Sequence, residues 1–84
     1  MLSDVDLSRL RWRCRRGFLE NDLVLERLLS ARGNQFTDDE HTQLKTLLEL
    51  DDNALWDIIA GRTNEFPADT RPMVQTLRDT LTKH

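Results

Sequence analysis

Apolar residues in this chain recur every three or four positions, and no segment alternates β-branched with polar residues as a half-buried strand would. That spacing leaves one way of burying them: helices, each with an apolar stripe turned toward a shared interior. Eighty-four residues, 38% of them hydrophobic and fifteen of them leucine, suffice for one small core and not for two. The expected architecture is therefore all-α, a compact bundle of five short helices in a single domain over residues 1–84.

Caps and breakers divide the chain. The first helix is expected from about Asp4 to Arg16, with Leu7, Leu10 and Cys14 inward and Gly17 ending or kinking it, because glycine accepts the left-handed conformation that terminates helices. A second, from about Leu19 to Ala31, buries Leu25, Leu28 and Leu29. Thr37-Asp38-Asp39-Glu40 is the clearest local signal, a threonine cap with glutamate three residues on, and it opens a third helix to about Glu49 that buries Leu44, Leu47 and Leu48. Asp51 or Asp52 caps a fourth helix carrying Leu55, Ile58 and Ile59 and ending at Gly61. Asp69 can start the fifth, with Pro72 in its first turn and Met73, Val74, Leu77 and Leu81 on one face.

The net charge is −3, yet five arginines fall within the eight residues Arg9–Arg16. On a wheel of about 100° per residue, Arg9, Arg13 and Arg16 share the face opposite the leucines, with Trp12 beside them. Such a patch either is simply solvated, with Trp12 packed at the bundle edge, or meets a partner. Clustered arginine with an aromatic could neutralise phosphates and stack on a base. Against that, the rest of the chain is acidic, Glu20 and Asp22 follow at once, and no nucleic-acid-binding motif is recognisable. A protein surface of mixed charge fits better.

Catalysis by the chain itself is not expected. His41 and His84 are the only histidines, and the single cysteine, Cys14, lies on an apolar stripe, too few ligands for a metal centre. There is no glycine-rich phosphate loop or dinucleotide fingerprint, and the pairs Asp38/Asp39 and Asp51/Asp52 are accounted for by capping. No apolar run approaches the roughly 18 residues that span a bilayer. The opening MLSDVDLSRL is unlike a signal or transit peptide, and one cysteine cannot form an internal disulfide, so the cytoplasm is the expected location.

The stretch RGFLEND, Arg16 to Asp22, resembles the RGxxE motif of the SdhE family of FAD assembly factors. The likeness continues through RWRCRRGFLENDLVL, through LLELDDNALWDIIAG as the family's acidic turn and aromatic-containing helix, and through FPAD before the last helix. It implies a five-helix, chaperone-like protein that binds the flavoprotein subunit of succinate dehydrogenase and promotes its covalent flavinylation, with fumarate reductase as a further candidate client. No cofactor of its own is implied, FAD being attached to the client; nor is nucleic-acid binding, membrane insertion or an oligomer. Carried over position by position, Arg16, Gly17 and Glu20 are the motif's defined residues and Arg9 and Trp12 flank them as partner-binding positions. Arg16 and Glu20 are expected to project from the turn, exposed and of little weight in folding. One departure is Ile58, near which the family often carries tryptophan; Trp56 is the nearby candidate for that packing role. The readings left beside this one are an antitoxin-like regulatory module and a small RNA-binding protein.

Overall fold

Three of the helices start at a side chain that caps their first N–H groups, and those starts set much of the architecture. The computed structural model describes residues 2–33 and 35–82. Among them the elements are α1 (Asp4–Cys14), α2 (Leu19–Arg32), α3 (Asp38–Leu48), α4 (Asp52–Ile59), a 3₁₀ turn (Ala68–Thr70) and α5 (Arg71–Thr82), with no strand. Ser3 caps α1 by accepting from the Asp6 N–H, and Asp51 caps α4 by accepting from that of Ala54. At α3 the expected capping box is complete: Thr37 accepts from the Glu40 N–H at 3.1 Å, and Glu40 accepts from the Thr37 N–H at 3.0 Å. The start of α5 differs from expectation. A 3₁₀ turn precedes it, and the Met73 N–H is satisfied from another helix, by Gln43 Oε1 of α3 at 3.0 Å. Pro72 sits in the first turn, where its missing N–H costs nothing.

The apolar stripes meet in one cluster. α2 packs against α1, α4 and α5, and α3 closes the core against α1, α5 and the 3₁₀ turn. Leu10, Leu28, Leu44, Leu48, Ile58 and Leu77 are buried as expected, while Leu7 is only half-buried at the core's edge. Ile58 faces the core itself, and Trp56 is half-buried and packs against the core's edge. Phe36, in the connection before α3, is fully buried. The α4–α5 connection is tied down by Arg78, which donates to the carbonyls of Ile58 and Thr63, both at 2.9 Å, and lies over the Phe66 ring. Among the described residues no helix is long and apolar enough to cross a membrane, and no group of three or more His, Cys, Asp or Glu could hold a metal ion. His84 lies outside the described residues.

Burial acts to raise the Glu40 carboxyl, but the Thr37 N–H and the Arg32 guanidinium, 2.6 Å away, outweigh it and hold it below the ordinary value of 4.5. A carboxyl depressed in the folded state adds stability at pH above its unfolded value, and that stability is lost as the pH falls through the folded value. Glu40→Gln is therefore expected to melt lower than the parent at pH 7, with the gap closing at pH 3 in thermal denaturation followed by circular dichroism.

Candidate functional site

α1 stops short of the glycine. Its last residue is Cys14; Arg15 leaves helical geometry at φ −88°, ψ 87°, and its N–H closes back onto the Trp12 carbonyl. Gly17 turns the chain at φ +82°, and α2 begins at Leu19 with Phe18 offering no side-chain cap. Arg16 is thus carried by a turn, and the helical wheel no longer gives its direction.

Its side chain points inward. Nε donates to Asp52 Oδ1 at 2.5 Å, Nη1 to the Leu48 carbonyl at 2.5 Å, and Nη2 to the Leu50 carbonyl. Only 15% of the side chain is exposed. This corrects two expectations, that Arg16 shares an exposed face with Arg9 and Arg13, and that it projects beside Glu20. The cause is the end of α3. The Leu48 carbonyl, the last of α3, carries the negative end of the helix dipole, the Leu50 carbonyl follows it in the α3–α4 connection, and a forked guanidinium suits both at once. Asp51, by taking the cap of α4, leaves the Asp52 carboxylate free to complete the set.

Two further side chains fix the same turn. The Asp22 carboxylate accepts from the backbone N–H of Arg16 at 3.0 Å through Oδ1 and from that of Gly17 at 3.1 Å through Oδ2. Asn21 is fully buried and donates from Nδ2 to the Asp52 carbonyl at 3.0 Å, while its Oδ1 has no partner among the described residues. Asp22, Asn21 and the pairing role of Asp52 escaped the sequence reading. The available signal was an aspartate in the first helical turn after a glycine, close enough to reach back to the turn's N–H groups.

The outer side of this region is open. Gly17 and Glu20 are exposed, and a Cβ on Gly17 would meet no atom of the protein within 4 Å. Trp12 is 77% exposed, on the side of α1 opposite the core, and Leu19 and Leu23 of α2 are exposed as well, at 67% and 46%. The four arginines of the patch other than Arg16 are exposed, with no ion pair to another described residue. They divide between two flanks: Arg9 and Arg13 line a groove with Asp6, His41 and Lys45 of about 220 Å³, and Arg11 and Arg15 border one with Asp22 and Glu26. Burial, then Lys45 and Arg13, lower the pKa of His41. Burial pushes the Cys14 thiol up to about 12, so it stays protonated and packs as a small apolar group. Of the five positions singled out from sequence, Arg9, Trp12, Gly17 and Glu20 thus lie on the surface, and Arg16 is largely enclosed, bonded to Leu48, Leu50 and Asp52.

Because Arg16 is the donor for two carbonyls and a carboxylate, removing it strands all three. Arg16→Ala is expected to cost about 2 kcal/mol or more, a fall in Tm of roughly 8–16 °C, with no rescue by lysine, whose single ammonium cannot reproduce the fork. Glu20→Ala, at an exposed position, should leave Tm almost unchanged.

Comparison with known proteins identifies the family. Residues 8–81 match the family model described as flavinator of succinate dehydrogenase. Curated proteins named FAD assembly factor SdhE are also similar. The one from Ralstonia nicotianae is 46% identical over 55 residues, 66% of this chain, and the alignment spans 58% of that protein's length. Those from Coxiella burnetii and Xylella fastidiosa are 29% and 33% identical over 84% and 87% of this chain, covering 87% and 75% of their own. No solved structure matches at a significant level. With the family model spanning both the turn and all but the outermost residues of the bundle, the chain belongs to the SdhE family of FAD assembly factors.

Proposed function

We propose that this protein binds the flavoprotein subunit of succinate dehydrogenase and promotes the covalent attachment of FAD to it. The reading rests on the family match over residues 8–81, which includes a turn whose outer face is left open. Arg9, Trp12, Gly17 and Glu20 make the contacts and Arg16 holds the turn that carries two of them. Trp12 offers a large rigid anchor, Glu20 accepts a donor from the client, and the arginines of α1 meet client carboxylates, for which the guanidinium fork is suited.

The protein acts as a chaperone and not as an enzyme. FAD is the client's cofactor and forms its bond to a client side chain, so the bond-forming groups belong to the client and the flavin. What a docked partner supplies is position: holding reacting groups in alignment lowers a barrier by several kcal/mol without any catalytic residue. The chain holds no cofactor of its own, works as a monomer in the cytoplasm, and releases the client when flavinylation alters the docking surface. Fumarate reductase, whose flavoprotein subunit poses the same problem, is proposed as a second client.

Covalent flavin survives denaturation, so fluorescence of the client band in a denaturing gel, with and without this protein, tests the function directly. The sharpest variant is at Gly17. Its φ of +82° strains an L-alanine by about 1 kcal/mol, while asparagine tolerates that conformation, and neither Cβ meets anything within the protein. Gly17→Ala and Gly17→Asn are both expected to fold and both to leave the client band dark, since a side chain there blocks close approach of the client. A fluorescent client band with Gly17→Asn would mean that only the shape of the turn matters.

A further inference from the structure

We propose that Asp22 and Asp52 are positioning residues of the docking turn. Between them they hold Arg16 by main chain and side chain, and through it they set where Gly17 and Glu20 stand. This rests on the docking function proposed above and adds to it two residues outside the RGxxE positions.

The geometry gives each aspartate a distinct task. Asp22 binds two consecutive N–H groups, those of Arg16 and Gly17, with its two carboxylate oxygens. A pair of adjacent N–H groups pointing the same way is a small anion-binding concavity, and here the anion is supplied by the chain's own next helix. That closure ties the first turn of α2 to the residue whose φ is +82°, so the glycine cannot turn without breaking two hydrogen bonds. Asp52 works from the other side. Its carboxylate receives Arg16 Nε at 2.5 Å, and its carbonyl receives Asn21 Nδ2 at 3.0 Å, so one residue of α4 grips the turn on either side of Gly17. Neither carboxylate is spent on the helix cap beside it: Phe18 precedes α2 without a side-chain cap, and Asp51 serves α4.

The surface around these residues is open where a partner would sit, with Gly17 and Glu20 exposed, whereas Asp22 and Asp52 are partly covered. Their effect on docking is therefore indirect, through a turn fixed before the client arrives. Association with a prefixed turn loses less conformational freedom than association with a mobile one.

Asparagine is the informative replacement, being equal in size. At residue 22 its amide keeps one acceptor oxygen and sets an N–H₂ group against the other backbone donor. In Asp22→Asn the amide protons of Arg16 and Gly17 should shift in ¹H–¹⁵N spectra and exchange faster, while core amides such as those of Leu28 and Leu44 stay protected. In a flavinylation assay with this protein as the varied component, the concentration for half-maximal rate should rise about tenfold and the plateau rate stay the same, the signature of weakened docking with unaltered chemistry. Asp52→Asn, which keeps the Nε acceptor and loses its charge, should act in the same direction and more weakly; it decides the matter alone if Asp22→Asn melts below the assay temperature. Wild-type half-maximal concentration in a folded variant, with the turn amides exchanging freely, would overturn the proposal. A wild-type protein that fails to bind the client at all would instead overturn the function on which it rests.

Discussion

The hydrogen bonds from Arg16 to the end of α3 are the interaction on which the arrangement of this small protein most depends. A helix leaves its last carbonyls without donors, and a buried carbonyl without a donor costs about 1–3 kcal/mol. The Leu48 and Leu50 carbonyls find theirs in a side chain more than thirty residues earlier, and the same guanidinium takes in the Asp52 carboxylate. One residue thereby fastens the α1–α2 turn to the α3–α4 turn. In a chain of 84 residues, where total stability is only about 5–15 kcal/mol, a link of that kind has large consequences.

Seen this way, the RGxxE motif divides its labour between the inside and the outside of the protein. The arginine faces inward and fastens the turn, while the glycine and glutamate lie on the exposed side. The same division extends to the neighbours: Asn21 is buried against α4, while Leu19 and Leu23, on the opposite side of α2, are exposed. Trp12 continues the exposed side onto α1 among arginines that pair with nothing in the described chain. A large aromatic held in water on a rigid helix costs solubility, and a surface that closes over it in a complex recovers that cost.

The helices were legible because burial imposes a period, and the caps because capping needs particular side chains at particular distances. Thr37 with Glu40 shows this well, as do Leu44, Leu47 and Leu48 behind them. Periodicity fails where the helix does. Extending the wheel of α1 two residues too far placed Arg16 beside Arg9 and Arg13, although the chain leaves helical geometry at Arg15. Interactions distant in sequence left no local trace: the pairing of Arg16 with Asp52, the reach of Gln43 to the start of α5 and the grip of Arg78 on the α4–α5 connection all depend on how the helices meet. Phe36 was missed for a related reason, since a lone aromatic in a connection has no period to reveal its burial. On the candidate site, Arg9, Trp12, Arg16, Gly17 and Glu20 could be named from sequence, Arg16 with the wrong direction, whereas the bonds that Asn21, Asp22 and Asp52 make around the turn could not.

The central claim is that the client meets the outer face of a turn that is held from within. It is tested most directly by titrating the ¹⁵N-labelled protein with the unlabelled flavoprotein subunit and following backbone amides, the Trp12 indole N–H and the Arg16 Nε–H together. The account predicts that the indole signal and the amides of Gly17, Glu20 and Leu23 move on binding, while Arg16 Nε–H, enclosed against Asp52, keeps its position. Movement of the Arg16 Nε–H signal with the indole unchanged, or perturbations centred on α5, would contradict it.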